Sequence, residues 1–136
     1  MKVVVVTVSR SGYRKATEDA LRRWAAAGDT VSVVMLRPKD PAPWDAASTV
    51  DLGSPTTMKR LGKVGTAICR VWPGSVNRQL ASRVRRSAQA RALLAEADLV
   101  CGVEPVTTRT LYRSSRRNPD APHVLGIDPA LNYFQR

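Results

Sequence analysis

The stretch that decides the fold is KVVVVTVSRSGY, residues 2–13. Its unbroken β-branched run from Val3 to Val6, continued to Val8, is typical of a strand buried on both faces in a parallel sheet. The run ends in a short polar turn that contains Gly12, a residue free to adopt positive φ. A helical pattern follows at once. This succession places backbone N–H groups at the carboxyl edge of a sheet, where anionic ligands bind.

Outward from this stretch, strand and helix patterns alternate along the chain. A helix is predicted over residues 14–27, and its buried stripe is predicted to be Ala16, Ala20, Trp24 and Ala27. The other predicted strands are residues 31–36, 98–103 and 123–127, and the other predicted helices are residues 58–72, 76–95 and 105–117. The helix over 76–95 is expected to bury Val76, Leu80, Val84 and Ala88.

Two segments are predicted to lack strands and helices. Residues 39–57 contain several prolines and are expected to form a long surface connection, in which Trp44 is either a hydrophobic anchor or a binding residue. Residues 130–136 are expected to form a short tail. The predicted fold is therefore α/β: a single Rossmann-like domain over residues 1–136, with a four-stranded, mainly parallel sheet and helices on both faces.

The composition limits the class of protein. Hydrophobic residues make up 43% of 136 residues, enough for a folded core. No apolar run approaches the roughly 20 residues that span a bilayer, and the N-terminus lacks a secretory pattern. Cys69 and Cys101 have no metal or redox spacing. We therefore expect a cytoplasmic protein with two reduced structural thiols, and attachment to the inner membrane face remains an alternative.

Positive charge is in excess, with 22 Lys and Arg against 11 Asp and Glu and a net charge of +11. Between Asp51 and Glu96 the sequence has no acidic residue. A polyanion-binding patch is predicted from the basic residues of this gap, with nucleic acid or an anionic membrane as partner: Lys59, Arg60, Lys63, Arg70, Arg78, Arg83, Arg85, Arg86 and Arg91. The alternative is a GC-rich coding background that inflates arginine content.

The order of these signals resembles the N-terminal domain of two-domain, B-type glycosyltransferases. The segments that carry the resemblance are KVVVVTVSRSG, LRRWAAAGD, TVSVVMLRP, EADLVCGVEP and HVLGID. In that family an A-x-x-G-[HD]-x-V pattern, here residues 25–31, leads into the second strand, and A-D-[LV]-V, here residues 97–100, forms a later one. The resemblance implies a domain that lacks its main donor site, so we expect it to be non-catalytic alone or to need a partner that supplies a donor-binding domain.

Ligand-binding residues are predicted at strand ends on the carboxyl edge of the sheet: Ser9, Arg10, Ser11, Gly12, Tyr13, Glu104 and Asp128. The Ser9–Gly12 turn is neither a Walker loop nor G-x-G-x-x-G, so a single phosphate or carboxylate is expected there and no dinucleotide. No cofactor and no metal site are predicted, and the only histidine, His123, is interpreted as structural.

Overall fold

The computed structural model describes residues 1–9, 11–36, 44, 47–54 and 76–133 of the protein. Strands and helices alternate over most of these residues. The strands are β1 Lys2–Thr7, β2 Thr30–Met35, β3 Ser48–Asp51, β4 Leu99–Gly102 and β5 His123–Leu125. The helices are α1 Ser11–Ala26, α2 Val76–Arg86, α3 Ala88–Ala95, α4 Thr108–Ser115 and α5 Ile127–Asn132, and a 3₁₀ turn, Pro105–Thr107, leads into α4.

The five strands form one sheet in the order β3-β2-β1-β4-β5, and every neighbouring pair is parallel. The opening valines lie at its centre, because Val5 pairs with Val33 of β2 on one side and Cys101 of β4 on the other. The Rossmann-like α/β fold predicted from the sequence is confirmed. The sheet has five strands where four were predicted.

Helices cover both faces of the sheet, and β1 contributes to the core on each. Val3 and Val5 pack in one cluster with α1 and α5, while Val4 and Val6 pack in the other with α2, α3 and α4. All four valines are at most 2% exposed. Successive side chains of a strand point to opposite faces, so a strand buried on both sides needs a continuous apolar run.

The buried stripe of α1 differs from the predicted one. Thr17, Ala20, Leu21 and Trp24 are buried, whereas Ala16 is exposed. The observed spacing is i, i+3, i+4 and i+7, which is the core-facing pattern of a surface helix. The prediction missed Leu21 because it assigned the buried positions mainly to alanines. One of these, Ala27, is also exposed.

The predicted helix over residues 76–95 is two helices that break at Ser87. The Ser87 hydroxyl accepts a hydrogen bond from the Ala90 N–H at 3.1 Å and so caps α3. The break rotates the second half, so that Ala88 is exposed and Leu94 is buried instead. Val76 is only half-buried at the start of α2.

Two elements lie where none was predicted, and one predicted helix cannot be compared. β3 falls inside the predicted surface connection, and α5 begins before the predicted tail. The prediction for residues 58–72 lies outside the described residues. Trp44 is 3% exposed and its indole Nε1 donates to Met35 Sδ at 3.2 Å, which matches its interpretation as a hydrophobic anchor.

Candidate functional site

The strand order creates one topological switch point, between β1 and β4. The chain runs outward from β1 through β2 to β3 and then returns to β4 on the other side of β1. In open α/β sheets, ligands bind in the crevice outside the carboxyl ends of the strands at such a point. The residues that follow β1 and β4 are therefore the first candidates for a site.

Glu104, just after β4, lies in this crevice and is fully buried. The Thr7 hydroxyl donates to Glu104 Oε1 at 2.8 Å, and the Val8 N–H donates to Glu104 Oε2 at 3.2 Å. The Ser9 N–H donates in turn to Thr7 Oγ1 at 2.9 Å. A carboxylate that loses its hydration is stable only when such donors replace water. Glu104 therefore fixes the path of the chain as it leaves β1.

Backbone and hydroxyl groups of the following turn hold Glu104 from its other side. Its carbonyl oxygen accepts hydrogen bonds from the Thr107 N–H at 2.9 Å and the Thr107 hydroxyl at 2.6 Å. Gly102 lies close by, and a Cβ added to it would come within 2.7 Å of Leu111 Cδ1. The glycine thus lets the turn pack tightly against the end of β4.

One of the predicted ligand-binding residues at the β1 exit, Ser9, hydrogen-bonds into this network. Ser9 adopts a positive φ of 55°, and its hydroxyl oxygen is buried with no hydrogen-bond partner in the described part of the chain. Ser11 begins α1, and Gly12 and Tyr13 are exposed in its first turn. Arg10 lies outside the described residues. Ligand binding by this group stays a prediction.

Asp128 follows the neighbouring strand β5 but stands apart from the buried network. It is exposed in the first turn of α5, which Gly126 precedes with a φ of 101°. The structure thus brings Thr7, Ser9 and Glu104 together and leaves Asp128 on the surface one strand further out.

Two other reactive side chains are held in structural roles. Burial, together with the nearby charge of Glu104, raises the pKa of the Cys101 thiol to about 12, so it stays protonated and donates weakly to the Gly126 carbonyl at 3.5 Å. His123 Nδ1 lies 2.7 Å from the Ala121 carbonyl, and Nε2 lies 2.9 Å from Ser114 Oγ. Burial lowers the pKa of His123, so the neutral imidazole donates from Nδ1 and accepts the Ser114 proton.

The residues of the predicted polyanion patch have different surroundings. Lys59, Arg60, Lys63 and Arg70 lie outside the described residues. Arg83 Nη1 donates to the carbonyls of Leu52 at 3.0 Å and Ser54 at 2.6 Å and so ties α2 to the chain after β3. Arg78, on the first turns of α2, already has an interaction partner. Arg85, Arg86 and Arg91 are exposed.

Arg85 and Arg91 line a half-open cavity of about 430 Å³ between α2, α3 and the end of α4. Three more arginines, which lay outside the predicted patch, complete its rim: Arg113, Arg116 and Arg117. In the described part of the chain, none of these five guanidinium groups has a hydrogen-bond or ion-pair partner. Five uncompensated positive charges around one cavity favour an anion there.

The rest of the cavity wall combines apolar and hydroxyl groups. Ala81, Val84, Leu94 and Ala95 provide apolar surface. Thr110 lines the cavity and is 2% exposed, and its hydroxyl oxygen has no hydrogen-bond partner among the described residues. Residues 110, 113, 114 and 117 recur at helical spacing and share one face of α4 and its extension, so the sequence indicates the α4 side of the cavity alone.

The sequence matches no protein-family model, and it shows no significant similarity to any curated protein. No helix within residues 11–26, 76–95 or 105–132 is long and apolar enough to cross a bilayer. Among the described residues, no three His, Cys, Asp or Glu side chains are grouped so that they could hold a metal ion. The candidate sites therefore rest on the geometry of the chain itself.

Replacing Glu104 by Gln is expected to lower the free energy of unfolding by about 1–3 kcal/mol, because the amide puts an N–H donor where a carboxylate oxygen now accepts. That donor would either face the Val8 N–H or donate to Thr7 Oγ1, and in the second case the Thr7 hydroxyl proton would lose the acceptor it now has. Chemical denaturation measures the change. Glu96→Gln is the matched control, since that carboxylate is exposed and its pairing with Lys2 lies on the surface. Equal denaturation midpoints for Glu104→Gln and the wild type would contradict the assigned role.

Proposed function

We propose that this chain is a glycosyltransferase-like N-terminal module that acts with a partner supplying a donor-binding domain. Two features support the proposal. One is the resemblance of residues 25–31 and 97–100 to the patterns of that family. The other is the parallel order β3-β2-β1-β4-β5, which agrees with the kind of sheet that the resemblance implies. On this proposal the protein works in the cytoplasm, where nucleotide-activated sugars are made.

The single observation that carries the proposal is the ordering of the β1 exit by Glu104. The two oxygens of its buried carboxylate accept hydrogen bonds from Thr7 and Val8, which fix the end of β1 at the switch point. A surface that is already ordered loses less conformational entropy when a partner or substrate docks on it. An ordered surface at the strand ends suits a module that forms one wall of a binding site while its partner forms the other wall.

The purified chain alone is expected to release no nucleoside diphosphate from UDP-glucose, GDP-mannose or dTDP-glucose and to transfer no sugar. The reason is that, in the family it resembles, the main donor contacts lie on the C-terminal domain, whereas residues 1–136 resemble the N-terminal domain. A coupled assay for nucleoside diphosphate measures turnover, with a no-protein reaction as the blank. Turnover that appears only on addition of a separate donor-type domain, such as one encoded in a neighbouring reading frame, supports the proposal. Clear turnover by the chain alone refutes it.

A second candidate function is polyanion binding by the basic surface, on nucleic acid or an anionic membrane. The observation that favours it is the group of five arginines that lack an ion-pair partner in the described part of the chain. Exposed Arg and Lys that are already paired lose part of their attraction for phosphate, whereas unpaired ones retain it. The interaction would be nonspecific in sequence, because it depends on phosphate charge.

Gel shifts with duplex DNA and sedimentation with anionic vesicles, each at low and high salt, test this second candidate. Binding is expected at low salt and should fall steeply as salt rises, because each neutralised phosphate releases counterions. Vesicles of neutral lipid are the matched control. Absence of binding to both DNA and anionic vesicles at low salt would eliminate the candidate.

A further inference from the structure

The arginine-rimmed cavity between α2, α3 and α4 is separate from the switch point. α4 starts just beyond the carboxyl end of β4 and runs back before β5 begins, so Arg113, Arg116 and Arg117 lie toward the amino edge of the sheet. Glu104 lies at the opposite, carboxyl edge. A ligand in this cavity would therefore leave the β1 exit free.

We infer that this cavity binds a phosphomonoester or phosphodiester group joined to an apolar chain. The inference rests on the anion-binding candidate above and names the ligand that its described arginines recognise. The phosphate would lie between the guanidinium groups of the rim and the Thr110 hydroxyl, and the apolar chain would lie along the alanine, valine and leucine side chains of the wall. The ligand can come from a soluble phosphorylated amphiphile or from the headgroup of an anionic lipid, since both present the same chemistry.

The charges at the rim select a phosphate. A guanidinium group presents a planar fork of N–H donors that pairs with two phosphate oxygens at once. Arginines from α2, α3 and α4 converge on the cavity, so an ion there can be held from several directions. Acidic side chains would compete for these donors, but the described residues that line the cavity include none.

The buried hydroxyl of Thr110 is a second and independent indication of a polar ligand. This side chain is 2% exposed, lines the cavity, and has no hydrogen-bond partner among the described residues. A buried hydroxyl without a partner is unfavourable, because nothing replaces the hydrogen bonds that it would make to water. A phosphate oxygen that accepts the Thr110 proton would supply that partner. Ser114, the other hydroxyl of the wall, already lies 2.9 Å from His123 Nε2.

The size and lining of the cavity indicate that the ligand is more than a phosphate ion. About 430 Å³ lies within the range of small-molecule sites and well exceeds the volume of one phosphate. Ala81, Val84, Leu94 and Ala95 contribute apolar surface from α2 and α3. Burying an alkyl chain against this wall would add favourable free energy that a bare anion lacks.

Isothermal titration of the full chain with octyl phosphate, kept below its aggregation concentration, tests the inference. One molecule should bind per chain, at least about tenfold more tightly than inorganic phosphate or octyl glucoside, because each of those supplies only half of the recognised chemistry. An affinity no better than that of inorganic phosphate would overturn the inference.

Two neighbouring substitutions separate the cavity from a diffuse positive surface. Arg85 lines the cavity, whereas the adjacent Arg86 is exposed on the same last turn of α2 and lies outside the lining. Arg85→Gln should weaken octyl phosphate binding about tenfold, and Arg86→Gln should leave it within about twofold, although both remove one charge. Equal losses in the two variants would overturn the inference.

Two further variants address the inner wall. Thr110→Val keeps the side-chain shape and removes the hydroxyl, so octyl phosphate should bind several-fold more weakly while the thermal midpoint stays unchanged or rises. Ala95→Phe fills the cavity from an exposed helix position and should abolish octyl phosphate binding but leave DNA binding intact. Unaltered octyl phosphate binding in both variants would contradict the proposed position of the ligand.

The two sources of the phosphate and the broader anion-binding candidate remain distinguishable. If vesicles containing phosphatidic acid bind the chain and octyl phosphate releases it from them, the ligand is a lipid headgroup. If the chain binds octyl phosphate in solution but does not bind these vesicles, the ligand is a soluble amphiphile. If the chain binds DNA or vesicles but not octyl phosphate, the proposed ligand site in the cavity is refuted and polyanion binding remains supported. No binding of any anion at low salt would refute both.

Discussion

The structure depends on one constraint, which is that β1 must be buried on both faces and paired along both edges. Val3 to Val6 supply four side chains that are at most 2% exposed, and each contributes about 1.5–3 kcal/mol on burial. Their alternation divides the core into two clusters, one against α1 and α5 and one against the three helices on the other face. Because parallel strands require crossover connections, the central position of β1 also determines that helices must cover both faces.

The central position of β1 also creates the switch point, and Glu104 holds the chain together there. The carboxyl ends of β1 and β4 meet there, and the chains that leave them would diverge without a link. Hydrogen bonds from Thr7 and Val8 to one carboxylate provide the link, at 2.8 and 3.2 Å. The cavity rimmed by arginines has a different origin, since it lies between α2, α3 and the end of α4, toward the opposite edge of the sheet. The fold thus separates an ordered strand-end crevice from a charged cavity between helices.

The sequence predicts the elements that carry strong periodic signals and misses those that tertiary contacts determine. The valine run alone predicts a central parallel strand, and the structure bears this out. β3 has no such signal, because it is a four-residue edge strand in which only Val50 is buried. Ser87 breaks a continuous helical pattern by capping, without a Gly or Pro to mark it. α5 was missed although Pro129 lies in its first turn, where proline is favoured. Glu104 was predicted by its place after a strand, but its burial and partners require knowledge of which strands are neighbours. The cavity needed three helices to be brought together, which no local pattern specifies.

The most direct test of the central position of β1 is native-state hydrogen exchange of the backbone amides, followed residue by residue by NMR. Amides in β1 should exchange only through global unfolding, with a free energy of opening equal to the stability from chemical denaturation, because this strand opens last. Amides of the edge strands β3 and β5 should exchange through smaller, local openings. Exchange from Val4 to Val6 as fast as that of β3 would show that the strand is not the interior of the sheet and would contradict the account.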